Sequence, residues 1–115
     1  MSGIGWRWLA IALAALVSAA LLWGLGAAPE GAPRRHVVEI SGFAFAPRTL
    51  EVGVGDTVVW LNRDFVPHTA TATDGAWDSG EIAGNASRSY VARERGRYEY
   101  VCELHPSMTG TLVVE

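Results

Sequence analysis

The chain has no lysine, a single cysteine and only three histidines, and beyond residue 35 it shows no helical periodicity. One cysteine excludes an intrachain disulfide. All nine basic residues are arginines, scattered without a long basic run, and the net charge is −3. That leaves no positive stripe of the kind nucleic acid requires, so no nucleic-acid partner is expected. There is no internal repeat and no low-complexity segment. With 115 residues there is room for one small domain. Cores of that size are often assisted by a staple, and with a disulfide excluded the remaining one is a metal.

What is present begins with an apolar run. Trp8 to Ala28 is uncharged, 21 residues long, and preceded by Arg7. This is the layout of an export signal, and it is also long enough to cross a bilayer of ~30 Å as a helix. Gly26-Ala27-Ala28 supplies small residues for cleavage, whereas Pro29 opposes it. A removed signal peptide and a retained anchor both fit residues 1–28. Residues 29–35, with Gly31 and Pro33, form a linker. Residues 36–115 form the domain, which is expected to be exported to a periplasmic or other extracytoplasmic space, soluble or tethered to the membrane through residues 8–28.

After the linker the pattern is short strands and glycine turns. His36–Ile40 is a first strand, with His36 solvated at its edge. Phe43 and Phe45 alternate, so both are expected to enter the core; Pro47 interrupts the sheet. Thr49–Val52 is a short strand, and Gly53 to Asp56 a turn. Thr57–Asn62 is the strongest strand, β-branched and aromatic, with Trp60 inward. Thr69–Ala72 is a brief strand, Trp77 to Gly80 is loop-like, Ser87–Ala92 is a strand, and Thr111–Val114 closes the chain. In Arg97–Cys102, Tyr98, Tyr100 and Cys102 share one face. Strands of this length and spacing predict an all-β antiparallel sandwich or barrel.

The chemistry is concentrated in Cys102-Glu103-Leu104-His105-Pro106-Ser107-Met108. A thiol, an imidazole and a thioether fall within seven residues at the spacing Cys-x2-His-x2-Met. Thiolate and thioether are soft donors that favour copper, and imidazole suits it in either oxidation state. A lone buried cysteine is an ordinary core residue; His105 and Met108 so close by are not what a core cysteine calls for. One loop cannot surround a metal. His68, after Pro67 and just past the Trp60 strand, is the candidate fourth donor.

These segments together resemble the cupredoxins, the small blue-copper proteins, and within them the amicyanin and plastocyanin branch. The resemblance rests on Gly55 to Asn62, Pro67-His68, Gly96 to Cys102 and the loop through Gly110, and it covers essentially everything after the linker. The two-residue gap between His105 and Met108 is similar to amicyanin. The resemblance implies a Greek-key β-sandwich and one type 1 copper held by His68, Cys102, His105 and an axial Met108. It implies single-electron transfer between a redox protein donor and a redox protein acceptor, by a protein expected to be a monomer. It also implies a docking patch around the His105 edge, for which Phe65, Val66, Pro67, Leu104 and Pro106 are the candidates. In many relatives an asparagine follows the first histidine and ties the ligand loops together; Thr69 stands there, with a backbone N–H still on offer. Where plastocyanins carry a tyrosine just before the cysteine, Val101 stands instead, so no aromatic relay is expected.

Four donors from protein leave no open position for a substrate, and catalytic metal sites keep one. An enzyme such as a copper oxidase would need further histidines, and His36 is the only spare. An electron carrier is therefore expected rather than an enzyme. A copper-trafficking or resistance protein with the same ligands is the alternative, and a metal-free immunoglobulin-like domain is the more distant one.

Overall fold

The computed structural model describes residues 31–115; the expected signal or anchor lies outside them. Among the described residues no helix is long and apolar enough to cross a membrane. Within these residues eight strands make two four-stranded sheets. One sheet contains β1 (Arg35–Ser41), β2 (Ala44–Ala46), β4 (Thr57–Asn62) and β6 (Ser87–Val91), in the order β2-β1-β4-β6. The other contains β3 (Thr49–Val52), β5 (Thr71–Ala72), β7 (Gly96–Cys102) and β8 (His105–Val114), in the order β3-β8-β7-β5. The β1 strand begins inside the stretch expected as linker: Arg34 already donates its N–H to Asp56 and accepts from Thr57 N–H.

The all-β sandwich is as expected, but the sheets are not purely antiparallel. β1 pairs with β4 and β3 pairs with β8 in parallel. The reason is connectivity. Between β1 and β4 the chain crosses to the other sheet to lay down β3, and a crossover of that length returns a strand in the same direction.

Trp60, Tyr100, Ile40, Ile82, Leu112, Val38 and Val58 are the largest fully buried apolar side chains of the core. Period-two alternation in β7 buries Tyr98, Tyr100 and Cys102 together, as read from the sequence. Trp77, expected in a loop, is also buried; its ring stacks on Tyr90 at 5.3 Å and lies 5.3 Å from Trp60. Tyr98 donates its hydroxyl to the Glu94 carbonyl at 2.9 Å and pins the turn before β7. Gly110, opposite Tyr100 in the β7–β8 ladder, has no room for a side chain, because a Cβ would overlap the Tyr100 ring. Gly110→Ala should therefore destabilise the domain by about 1–3 kcal/mol, the usual cost of overpacking, read by urea unfolding.

Phe43 does not enter the core. Ser41 pairs with Ala44, so Gly42 and Phe43 are the two residues of a hairpin turn, both with φ of 59°. Alternation stops at a turn, and Phe43 emerges half exposed while Phe45 is buried.

His36 is half buried rather than solvated, with Nε2 at 2.9 Å from Asp56. Asp56 also accepts the N–H groups of Arg34 and Gly53. These bonds, Arg34 first, then His36 and Gly53, hold its carboxyl down at about 2 from an ordinary 3.8. A lowered carboxyl stabilises the fold above its unfolded value and loses that contribution as the proton returns. The stability gap between the natural chain and Asp56→Asn should be flat above pH 4 and close as pH falls from about 4 toward about 2. Urea titrations of both across that range measure it.

Candidate metal centre

The motif read as a loop is the end of a hairpin. Cys102, the last residue of β7, pairs with His105, the first of β8, across the turn Glu103-Leu104. The register shifts between Val101 and Cys102: Val101 faces Thr109, so residues 106–108 are extra on β8. The bulge re-aims the chain and returns Met108 to the interior, where it is buried in the core cluster. Strands therefore hold the donors of this motif from both sides.

His68 arrives from the connection between β4 and β5, where it forms an isolated bridge with Ile82. Its N–H and C=O exchange bonds with Ile82, and its side chain is fully buried. Its Nδ1 lies 3.6 Å from Cys102 Sγ and 3.2 Å from His105 Nδ1, and Cys102 Sγ is 3.7 Å from His105 Nδ1. The point equidistant from all three atoms is about 2 Å from each, the length of a bond from imidazole nitrogen to a late first-row metal. His68 Nε2 is 2.9 Å from Asp64 Oδ2. A carboxylate only accepts, so Nε2 carries a hydrogen, and the neutral ring would present the Nδ1 lone pair to the centre. The donor set thus fits a copper ion: two imidazole nitrogens and a buried sulfur converge at bonding distance, and a buried thioether follows three residues after His105.

The sulfur is held by Thr69, whose N–H points at Cys102 Sγ at 3.3 Å. The Thr69 hydroxyl accepts the Glu103 N–H at 2.9 Å. Thr69 therefore ties the two ligand segments together.

Two residues around the centre escaped the sequence reading. Asp64 accepts from His68 and also from the N–H groups of Gly42 and Phe43, at 2.8 and 3.0 Å. The Phe43 N–H is foremost in holding its carboxyl below the usual range, with His68 and Gly42 adding to it against the cost of burial. Phe43 itself stands T-shaped to both imidazoles, its centroid 5.2 Å from His68 and 5.0 Å from His105. Gly42 could have signalled a turn, but no local pattern links residues 43, 64, 68 and 105.

Of the residues read as a docking patch, Phe65 is 95% exposed, Val66, Leu104 and Pro106 are also exposed, and Pro67 is half buried. His105 is partly exposed beside them in sequence. Val101 is half buried, in β7 between Thr71 and Thr109.

Comparison with known proteins agrees with this geometry. The profile of the cupredoxin-like domain matches residues 12–114. Amicyanin of Paracoccus denitrificans is 36% identical over 94 residues, covering 77% of this chain and 72% of its own. Amicyanin-alpha of Methylorubrum extorquens is 32% identical over 113 residues, covering 92% and 95%. Among solved structures, a mutant amicyanin in its Cu(I) form superposes with a TM-score of 0.67 at 34% identity, over 75% of this chain and 87% of that one. A purple cupredoxin from Nitrosopumilus maritimus gives 0.64 at 28% identity, over 70% and 99%.

Proposed function

The chain belongs to the cupredoxin family, with amicyanins among its relatives, and from that membership we propose that it carries single electrons between two redox proteins outside the cytoplasm. Copper is the cofactor, and when bound it supplies a one-electron couple between the cuprous and cupric states. His68 and His105 would hold it through Nδ1, Cys102 through its thiolate and Met108 through its thioether. The observation that carries the reading is the convergence of three soft or intermediate donors at bonding distance in a buried site.

The protein's part is to keep those donors still. His68 is fixed by Ile82 on its backbone and by Asp64 on its ring, and Cys102 and His105 by the hairpin. Thr69 stabilises negative charge on the sulfur through its N–H. Four side-chain donors would fill the coordination and leave no place for substrate, which favours a carrier over an enzyme. His105 is the partly exposed ligand, and Phe65, Val66, Pro67, Leu104 and Pro106 would form the apolar surface through which partners approach it. Electron-transfer encounters use small interfaces, so such a patch is sufficient. The apolar segment 8–28, as signal peptide or anchor, would deliver the domain, with residues 29–35 as linker.

Voltammetry of the copper-loaded protein tests the reading. A reversible one-electron wave with copper retained over many cycles supports the carrier. Loss of the cuprous ion to an acceptor protein on reduction would favour copper trafficking. With Val101 in place of an aromatic relay, Val101→Ala should change the rate of transfer to a redox partner less than twofold, whereas a charge placed at Leu104 should slow it severalfold. Stopped-flow oxidation of the reduced protein compares the two, and a slow Val101→Ala variant would reinstate a remote route.

A further inference from the structure

Phe43 sits where two separate forces disfavour it. Its φ of 59° is a left-handed conformation that two-residue hairpin turns usually fill with Asn, Asp or Gly, and a bulky side chain there is an outlier. Its ring is also half exposed to water. Strain of this kind persists where the surroundings hold it, and it clusters at functional sites. The surroundings here are explicit. One carboxylate, Asp64, takes the N–H groups of Gly42 and Phe43 and the Nε2–H of His68. Asp64 is itself held by its N–H to Asn62 Oδ1 at 2.9 Å, and the fully buried Asn62 amide donates to the carbonyls of Val66 and Ile82. The turn that carries Phe43 and the ring of His68 thus share one anchor, and that anchor is fixed to the end of β4.

We propose that Asp64 and Phe43 form a single positioning device, in which the carboxylate fixes the His68 ring and its tautomer while the aromatic ring, seated against both His68 and His105, holds the two imidazoles at a fixed mutual angle and keeps water off them. The device rests on the copper reading of the site. It has two effects of opposite sign on the potential. A carboxylate hydrogen-bonded to a ligand favours the cupric state, so Asp64 lowers the potential. Oxidation adds one positive charge to the centre, and water stabilises that charge, so by excluding water Phe43 raises the potential. Holding both rings still also limits the rearrangement that accompanies each electron transfer.

The test uses the full chain loaded with copper. Phe43→Asn places in the turn a residue it favours, so the variant should unfold at the same temperature as the natural chain or higher. Its potential should nevertheless fall, and its electron self-exchange, followed by NMR line broadening, should slow severalfold. Asp64→Asn preserves shape and removes charge. Its potential should rise, and its affinity for cuprous ion, measured against a competing chelator, should drop by about 10–100-fold. A merely structural pair would alter the unfolding temperature and leave both potentials in place. Potentials and self-exchange equal to those of the natural chain in both variants, with the visible band intact, would overturn the device and leave the copper site standing. Absence of a visible band from the natural chain itself would instead remove the copper reading on which the device rests.

Discussion

Cys102→Ser is expected to abolish the intense visible absorption of the copper-loaded protein while leaving the domain folded. An intense band in the visible needs a donor from which an electron is easily promoted to cupric ion, and in this centre only the Cys102 sulfur qualifies. It is fully buried, 3.6 and 3.7 Å from the two imidazole nitrogens, and it receives the Thr69 N–H. A serine oxygen is a hard donor, remains protonated, and binds cuprous ion poorly. The fold should survive, because the Thr69 N–H can be donated to the new hydroxyl and nothing larger is introduced. The cost is that of a small polar atom in a site built for sulfur, on the order of 1 kcal/mol. Absorption spectra and metal content on the same samples separate loss of colour from loss of metal. An unchanged spectrum would show that sulfur is not bonded to the ion.

The features most legible in the sequence were those set by neighbours along the chain. Period two in Tyr98, Tyr100 and Cys102 gave the inward face of β7, and Thr57 to Asn62 could hardly be anything but a central strand. The Cys-x2-His-x2-Met spacing marked the centre because a hairpin end keeps those donors local. What stayed hidden depends on contacts distant in sequence or on a turn. Phe43 broke its alternation because Gly42-Phe43 is the hairpin turn itself. Trp77 is buried between rings of both sheets, Trp60 of one and Tyr100 of the other, and not by any period of its own. The parallel pairings of β1 with β4 and β3 with β8 follow from crossovers, which short-range patterning does not encode. Asp64 reads as one more loop carboxylate until the hairpin turn 21 residues away is folded against it.

Stripping the copper should produce the largest change in stability. A ligand that binds only the folded chain, present a thousandfold above its dissociation constant, contributes about 4 kcal/mol. For a domain of this size each kcal/mol moves the midpoint by about 4–8 °C, so the loaded and stripped proteins should unfold roughly 15–30 °C apart. The shift cannot reach its full value, because the unfolded chain keeps part of the site. Cys102, His105 and Met108 lie within seven residues and can still gather an ion when nothing is folded. His68 is 34 residues from Cys102 and joins them only in the native state, where Ile82 pairs with it and Thr69 ties its segment to Cys102 and Glu103. The stabilisation therefore measures what His68 and the strand-imposed geometry add to a local three-donor peptide. Two consequences separate this from a general effect of the metal. The midpoint should rise with the logarithm of free cuprous ion and level off once the unfolded chain is loaded too, and a synthetic peptide spanning residues 98–110 should bind that ion more weakly than the folded protein by the factor the plateau implies. Scanning calorimetry under reducing conditions, with the peptide titrated in parallel, gives both numbers. Equal affinities would mean that folding adds nothing to the site, and that the sandwich does not close around the ion at all.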